Sequence, residues 1–93
     1  MEDKISKQKL DKYYKLTSRA LAEVKKKIVK SKKKDADEII KMASAYLSDS
    51  SFFEKKGDLV NSFGAIYYAH GWIDCGVRLG IFDVKDDKLF TVK

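Results

Sequence analysis

Residues 59–73 form a run of fifteen without a formal charge, in a chain of 93 residues of which 37% are Asp, Glu, Lys or Arg. This run constrains the fold more than any other feature. A membrane-spanning helix needs about twenty mostly apolar residues; this run is shorter and contains Asn61, Ser62 and His70. It reads as an interior helix over about residues 59–79, with Gly57 before it and Gly80 as its terminator. Leu59, Phe63, Ile66, His70, Ile73 and Val77 form its main stripe. A second face carries Gly64, Gly71 and Cys75, where small residues are expected to let another backbone come close. Glycine in a helix costs about 1 kcal/mol relative to alanine, so such a face needs a reason. A helix that is apolar almost all round is either central or covered by a partner.

Two further helices precede it. Leu10, Tyr14, Thr17, Leu21, Val24 and Ile28 recur at alternating spacings of four and three, one stripe of a helix over residues 4–30. After a run of lysines, "DADE" suggests that Asp35 caps a second helix, with Glu38 reaching back. Ile39, Ala43, Tyr46, Ser50 and Phe53 form its stripe, supported by Ile40 and Leu47. "KKGDL" then reads as a tight turn, with Gly57 ending one helix and Asp58 capping the next. The tail changes period: residues 81–84 and 89–92 flank "KDDK" and suggest a short hairpin or extended segment. The expected fold is all-α: an up-down-up three-helix bundle over residues 1–80, with a C-terminal extended tail over 81–93 packed on it.

Charge is unevenly spread. Residues 1–34 hold 13 Lys and Arg against 4 Asp and Glu, a net of +9; residues 35–93 hold 7 against 10, a net of −3. Arg19 and Arg78 are the two arginines; the rest of the basic residues are lysines, which attract diffusely and do not offer a planar fork. "KKKIVKSKKK", residues 25–34, has seven lysines in ten positions. Lys26, Lys27, Lys30, Lys33 and Lys34 form a candidate basic patch for phosphate backbone. The competing account is a solvated helix end whose lysines complement the helix dipole. The single cysteine, Cys75, excludes an intrachain disulfide and suits a reducing compartment. The opening "MEDKISKQKL" has early acidic residues and no apolar core, so it is not expected to act as a signal peptide. The chain is expected to be soluble and cytoplasmic, with no membrane partner.

His70 and Asp74 are the main chemical candidates, because positions i and i+4 share a helix face. A hairpin centred on Gly57–Asp58 sets His70 near the level of Ala45 and Tyr46, with Asp49 and Ser50 one turn away. Tyr46, Asp49, Ser50, His70 and Asp74 are therefore a candidate buried polar cluster. As catalysis, Asp74 would orient His70 as a base beside Ser50 or Tyr46. As a metal site, His70, Asp74 and Asp49 lack a second strong nitrogen or sulfur ligand. The favoured reading is structural, with Asp74 or the Tyr46 hydroxyl satisfying a half-buried imidazole. Cys75 reads as a small core residue. No glycine loop cradles a phosphate, so no cofactor and no catalytic or metal residue is assigned.

"MASAYLSDSSFFEKKGDLVNSFGAIYYAHGWID", residues 42–74, resembles the archaeal domain-of-unknown-function family numbered 357. Ala43, Tyr46, Asp49, Ser50, Phe53, Gly57, Asp58, Phe63, Tyr68, Ala69, His70, Gly71 and Asp74 carry the match. Ser62, Trp72 and Cys75 depart from it in side-chain size. The resemblance implies an archaeal source and a small helical bundle, and brings no activity. The third helix is also similar to nucleotidyltransferase-associated helical domains, some of them ribonucleases with an arginine four to six residues before a histidine. Gly64, Ala65 and Ile66 occupy those positions here, which argues against that activity.

The expected function is a non-enzymatic protein-interaction module. Its partner is a protein, including a second copy of the chain, held at a candidate interface of Val60, Tyr68 and Trp72. The alternative is nucleic-acid or ribosome association through the lysine-rich first helix.

Overall fold

A tight turn on Gly57 and Asp58 sets the relation between the second and third helices. The computed structural model describes residues 4–85 and 89–90. Its helices are α1 (Lys7–Lys25), α2 (Lys33–Lys55) and α3 (Leu59–Arg78), with a 3-10 turn at Lys30–Lys32 leading into α2. No strand occurs among the described residues, so the fold is all-α. Gly57 takes φ 78°, a left-handed backbone open to a residue without Cβ. Its N–H donates to the Glu54 carbonyl, and the Asp58 N–H reaches back to Phe53, each at 2.9 Å. Gly80 repeats the device at the end of α3, with φ 74° and donation from Gly80 to Val77 and from Ile81 to Gly76. Asp58 caps α3 by accepting from the Asn61 backbone N–H at 3.0 Å, which holds its carboxyl below the ordinary range.

The start of the chain departs from expectation in two places. The first helix ends at Lys25, not near residue 30. Ile28 leaves the helical stripe and forms an antiparallel bridge with Phe82. Val29 donates to Ile81 at 3.0 Å, and Asp83 donates to Lys27 at 2.8 Å. Adjacent β-branched residues favour this extended pairing over another helical turn. Nor does Asp35 cap α2. The helix begins at Lys33 with no side-chain cap, and Asp35 lies in its first turn, where a carboxylate favours the positive end of the dipole.

α2 and α3 meet along small residues. Ala36, Ala43 and Ser50 recur every seven positions on α2, as do Ser62, Ala69 and Gly76 on α3, and all six are buried. The Ser62 hydroxyl donates to the Ser50 carbonyl at 2.7 Å, and the two hydroxyls lie 2.9 Å apart. At the far end, a Cβ on Gly76 would stand 2.9 Å from Ile39 and 2.5 Å from the Phe82 ring. Close approach therefore occurs at Gly76. It does not occur at Gly64 or Gly71, where a Cβ would meet nothing within 4 Å.

α1 meets α3 through larger groups. Tyr13 lies 5.4 Å from Phe63 and 6.0 Å from Tyr67, ring to ring. Leu10, Phe63 and Ile66 form a small core at this end. The main core joins Leu21, Val24, Ile39, Leu47, Ile73 and Val77 to Ile81, Phe82, Leu89 and Phe90. The described tail thus fills core volume. The partner of residues 81–84 is the link between α1 and α2, so the expected hairpin is not formed by the described residues; 86–88 and 91–93 lie outside them. Among the described residues, no helix is long and apolar enough to cross a membrane.

Candidate functional site

His70 sits where three segments converge. Its position on the main stripe of α3 directs it toward α1, and Thr17 is the buried polar residue that meets it. Thr17 Oγ1 lies 2.9 Å from His70 Nδ1, and His70 Nε2 lies 2.8 Å from the Leu89 carbonyl oxygen. A carbonyl can only accept, so Nε2 carries a proton; in the neutral ring Nδ1 then accepts from the Thr17 hydroxyl. Asp74 Oδ1 is 3.7 Å from Nε2, too far for a hydrogen bond. The imidazole is satisfied by Thr17 and Leu89 in place of Asp74 or Tyr46. Both ring nitrogens are engaged, so use as a base or metal ligand would require breaking a bond that holds the tail or α1.

The five residues of the expected polar cluster do not gather. His70 and Asp74 remain neighbours beside the Thr17 side of α3. Ser50 is sealed against Ser62 between α2 and α3. Tyr46 stacks on Tyr68 with ring centroids 4.6 Å apart, and Asp49 is exposed. The hairpin register explains this. Ser50 is level with Ser62, three positions earlier on α3 than a hairpin centred on Gly57–Asp58 gives. The helical turn also points His70 toward α1, away from α2. Among the described residues, no three His, Cys, Asp or Glu side chains are placed to hold a metal ion.

Shallow grooves flank α3, among them one beside Tyr46, Asn61, Gly64 and Tyr68. Tyr13, Thr17, Tyr67, His70 and Asp74 are among the residues lining another of about 270 Å3. Tyr68, Gly71, Trp72 and Cys75 line an open one of about 430 Å3. Cys75 is exposed in that groove, contrary to the expected core position, because it shares the outward face with Gly64 and Gly71. Of the candidate interface, Val60 is 70% and Tyr68 60% exposed, beside Tyr67 at 58% and Leu79 at 65%. Trp72 is half-buried against the main core, with Nε1 buried and without a hydrogen-bond partner among the described residues. The described tail residues leave Tyr67 and Tyr68 uncovered.

The candidate basic patch is exposed at all five positions, Lys26, Lys27, Lys30, Lys33 and Lys34. Sequence reasoning missed Thr17 and Leu89 as the partners of His70. Thr17 left a signal, since it is the polar member of the α1 stripe as His70 is of the α3 stripe. A backbone carbonyl such as that of Leu89 leaves none.

Comparison with curated proteins and with solved structures found no match. The model of a family described as "Protein of unknown function (DUF357)" matches residues 12–82. That span runs from the first turns of α1 to Phe82, the ring that packs on Gly76, and includes the Gly57–Asp58 turn and His70. With well over half of its length matched by the model, the chain belongs to the DUF357 family.

Proposed function

We propose that the chain is a protein-interaction module: an up-down-up three-helix unit that works by binding, without catalysis or a cofactor. Its partner on the outer face of α3 is a second copy of itself. The observation that carries this reading is the pair of glycines at 64 and 71. Each costs helix stability of about 1 kcal/mol relative to alanine, and a methyl group at either would meet nothing within 4 Å. The fold gains nothing from them, whereas a second backbone crossing this face would. Exposed Val60, Tyr67, Tyr68 and Leu79 supply apolar area around them.

The face is suited to self-pairing. Tyr68 stands beside the groove of Gly71, Trp72 and Cys75. A two-fold axis there brings the Tyr68 of each copy against Gly71 of the other, so one patch serves both. The uncharged run over residues 59–73 keeps like charges out of the contact. The engagement of both His70 nitrogens supports the non-catalytic part of the reading.

Sedimentation equilibrium at micromolar concentration tests it. The wild-type chain is expected to dimerise, and Tyr68→Glu to be monomeric with unchanged helical circular dichroism. A wild-type chain that stays monomeric throughout would overturn self-association.

A further inference from the structure

We propose that the lysine-rich corner between α1 and α2 is a docking surface for the phosphate backbone of nucleic acid, separate from the outer face of α3. All seven lysines of residues 25–34 are exposed. Complementing the dipole of a helix C-terminus accounts for few of them. Lys25 lies in the last turn of α1 and Lys26 is its C-cap. Lys27 is in the link, Lys30 and Lys32 are in the 3-10 turn, and Lys33 and Lys34 open α2. At that end the dipole is positive and disfavours cations. Internal pairing accounts for little more. Lys33 to Asp37, at 3.2 Å, is the ion pair this group makes among the described residues, and both side chains are exposed. Seven like charges so placed repel one another within the chain and gain from an external polyanion.

The corner is also held in place. The Ile28–Phe82 bridge and the bonds from Val29 to Ile81 and from Asp83 to Lys27 pin its backbone to the tail. Ile28 packs inward on the main core. The lysines are therefore displayed on a braced turn, not on a fraying helix end.

The chemistry selects the partner. A protein interface is typically poor in lysine and rich in aromatics; this corner is the reverse. Residues 25–34 themselves carry lysine and no arginine, so the segment offers point charges without a planar fork to read base edges. Tyr13 and Tyr14 pack against the core at the other end of α1 and offer no stacking platform. Binding should follow backbone charge and ignore sequence.

The test is fluorescence anisotropy of the full chain with a short RNA duplex and a DNA duplex of equal length, over a series of salt concentrations. Each lysine–phosphate contact contributes a slope of about 0.9 in log Kd against log salt. Replacing Lys26, Lys30, Lys33 and Lys34 by glutamine should flatten the slope by about 3.6 and weaken low-salt binding at least ~10-fold. Single replacements should each flatten it by about 1, which keeps the test valid if the fourfold variant loses helicity. A matched control with Lys7, Lys15, Lys41 and Lys55 replaced by glutamine has the same net charge and should keep the wild-type slope. Equal loss in both fourfold variants would assign the binding to net charge and overturn the proposal. So would absence of binding at low salt, or equal binding of polyglutamate, which would point to an acidic polypeptide.

Discussion

On the inner face of α3, a Cβ at Gly76 would stand 2.5 Å from the Phe82 ring; on the outer face, Cβ atoms at Gly64 and Gly71 would meet nothing within 4 Å. The two faces carry the same residue under opposite constraints. Inside, glycine is required because α2 and the tail close on the helix, and the smallness of Ala36, Ala43, Ser50, Ser62 and Ala69 lets them do so. Outside, glycine costs helix stability and the chain gains no packing in return. On the proposed reading, a close approach completed within the molecule differs from one left for a second copy. The apolar circumference of α3 is thus part buried against α2 and the tail and part exposed, at Val60, Tyr67, Tyr68 and Leu79.

The inner face can be broken in graded ways. Phe82→Ala removes the ring from Gly76 and from the main core, and should cost about 3–5 kcal/mol in urea unfolding. A loss below about 1 kcal/mol would mean that the tail is not part of the core. Gly76→Ala places a methyl group into the Phe82 ring and should destabilise by about 1–3 kcal/mol despite the better helix propensity. His70→Ala should also cost about 1–3 kcal/mol, through lost packing and the unpaired Leu89 carbonyl. Combined with Thr17→Val, it should cost less than the sum of the single changes, because the two residues share one bond. Simple additivity would place the His70 contribution elsewhere.

The smallest effect is expected at the turn. The folded pKa of Asp58 lies below its ordinary 3.8 because it accepts from the Asn61 N–H. Its stabilising contribution is therefore full above that value and lost as pH falls through the lowered one. Asp58→Asn should flatten this small part of the acid limb of the stability curve. An unchanged limb would show that the bond does not outlast solvent competition.

How much of this was readable from the sequence depended on the kind of signal. Gly57, Asp58 and Gly80 act through local backbone chemistry, and their roles follow directly from their places in the chain. Large side chains recur with helical period, so the stripes of all three helices were visible. The α2–α3 seam was not, because Ala, Ser and Gly at sevenfold spacing form no hydrophobic stripe. Without that seam the register is set by the turn alone, three positions off on α3, which brings Tyr46, Asp49 and Ser50 level with His70 where the fold does not. Periodicity alone carries α1 past its end at Lys25, because Ile28 continues the spacing while its partner, Phe82, is distant in sequence. His70 bonds Leu89 through a backbone carbonyl, which residue identity does not encode.

The proposed division of α3 into a sealed face and a docking face is tested most directly by urea unfolding of wild type and the Gly64→Ala/Gly71→Ala variant at low and high protein concentration. A homodimer gains stability with concentration by mass action. The wild-type midpoint should rise with concentration. The variant should start higher, by about 1 kcal/mol for each replacement at low concentration, and show little further rise, because its methyl groups hold the second copy away. A variant less stable than wild type at low concentration, or one that keeps the full wild-type rise, would contradict the account.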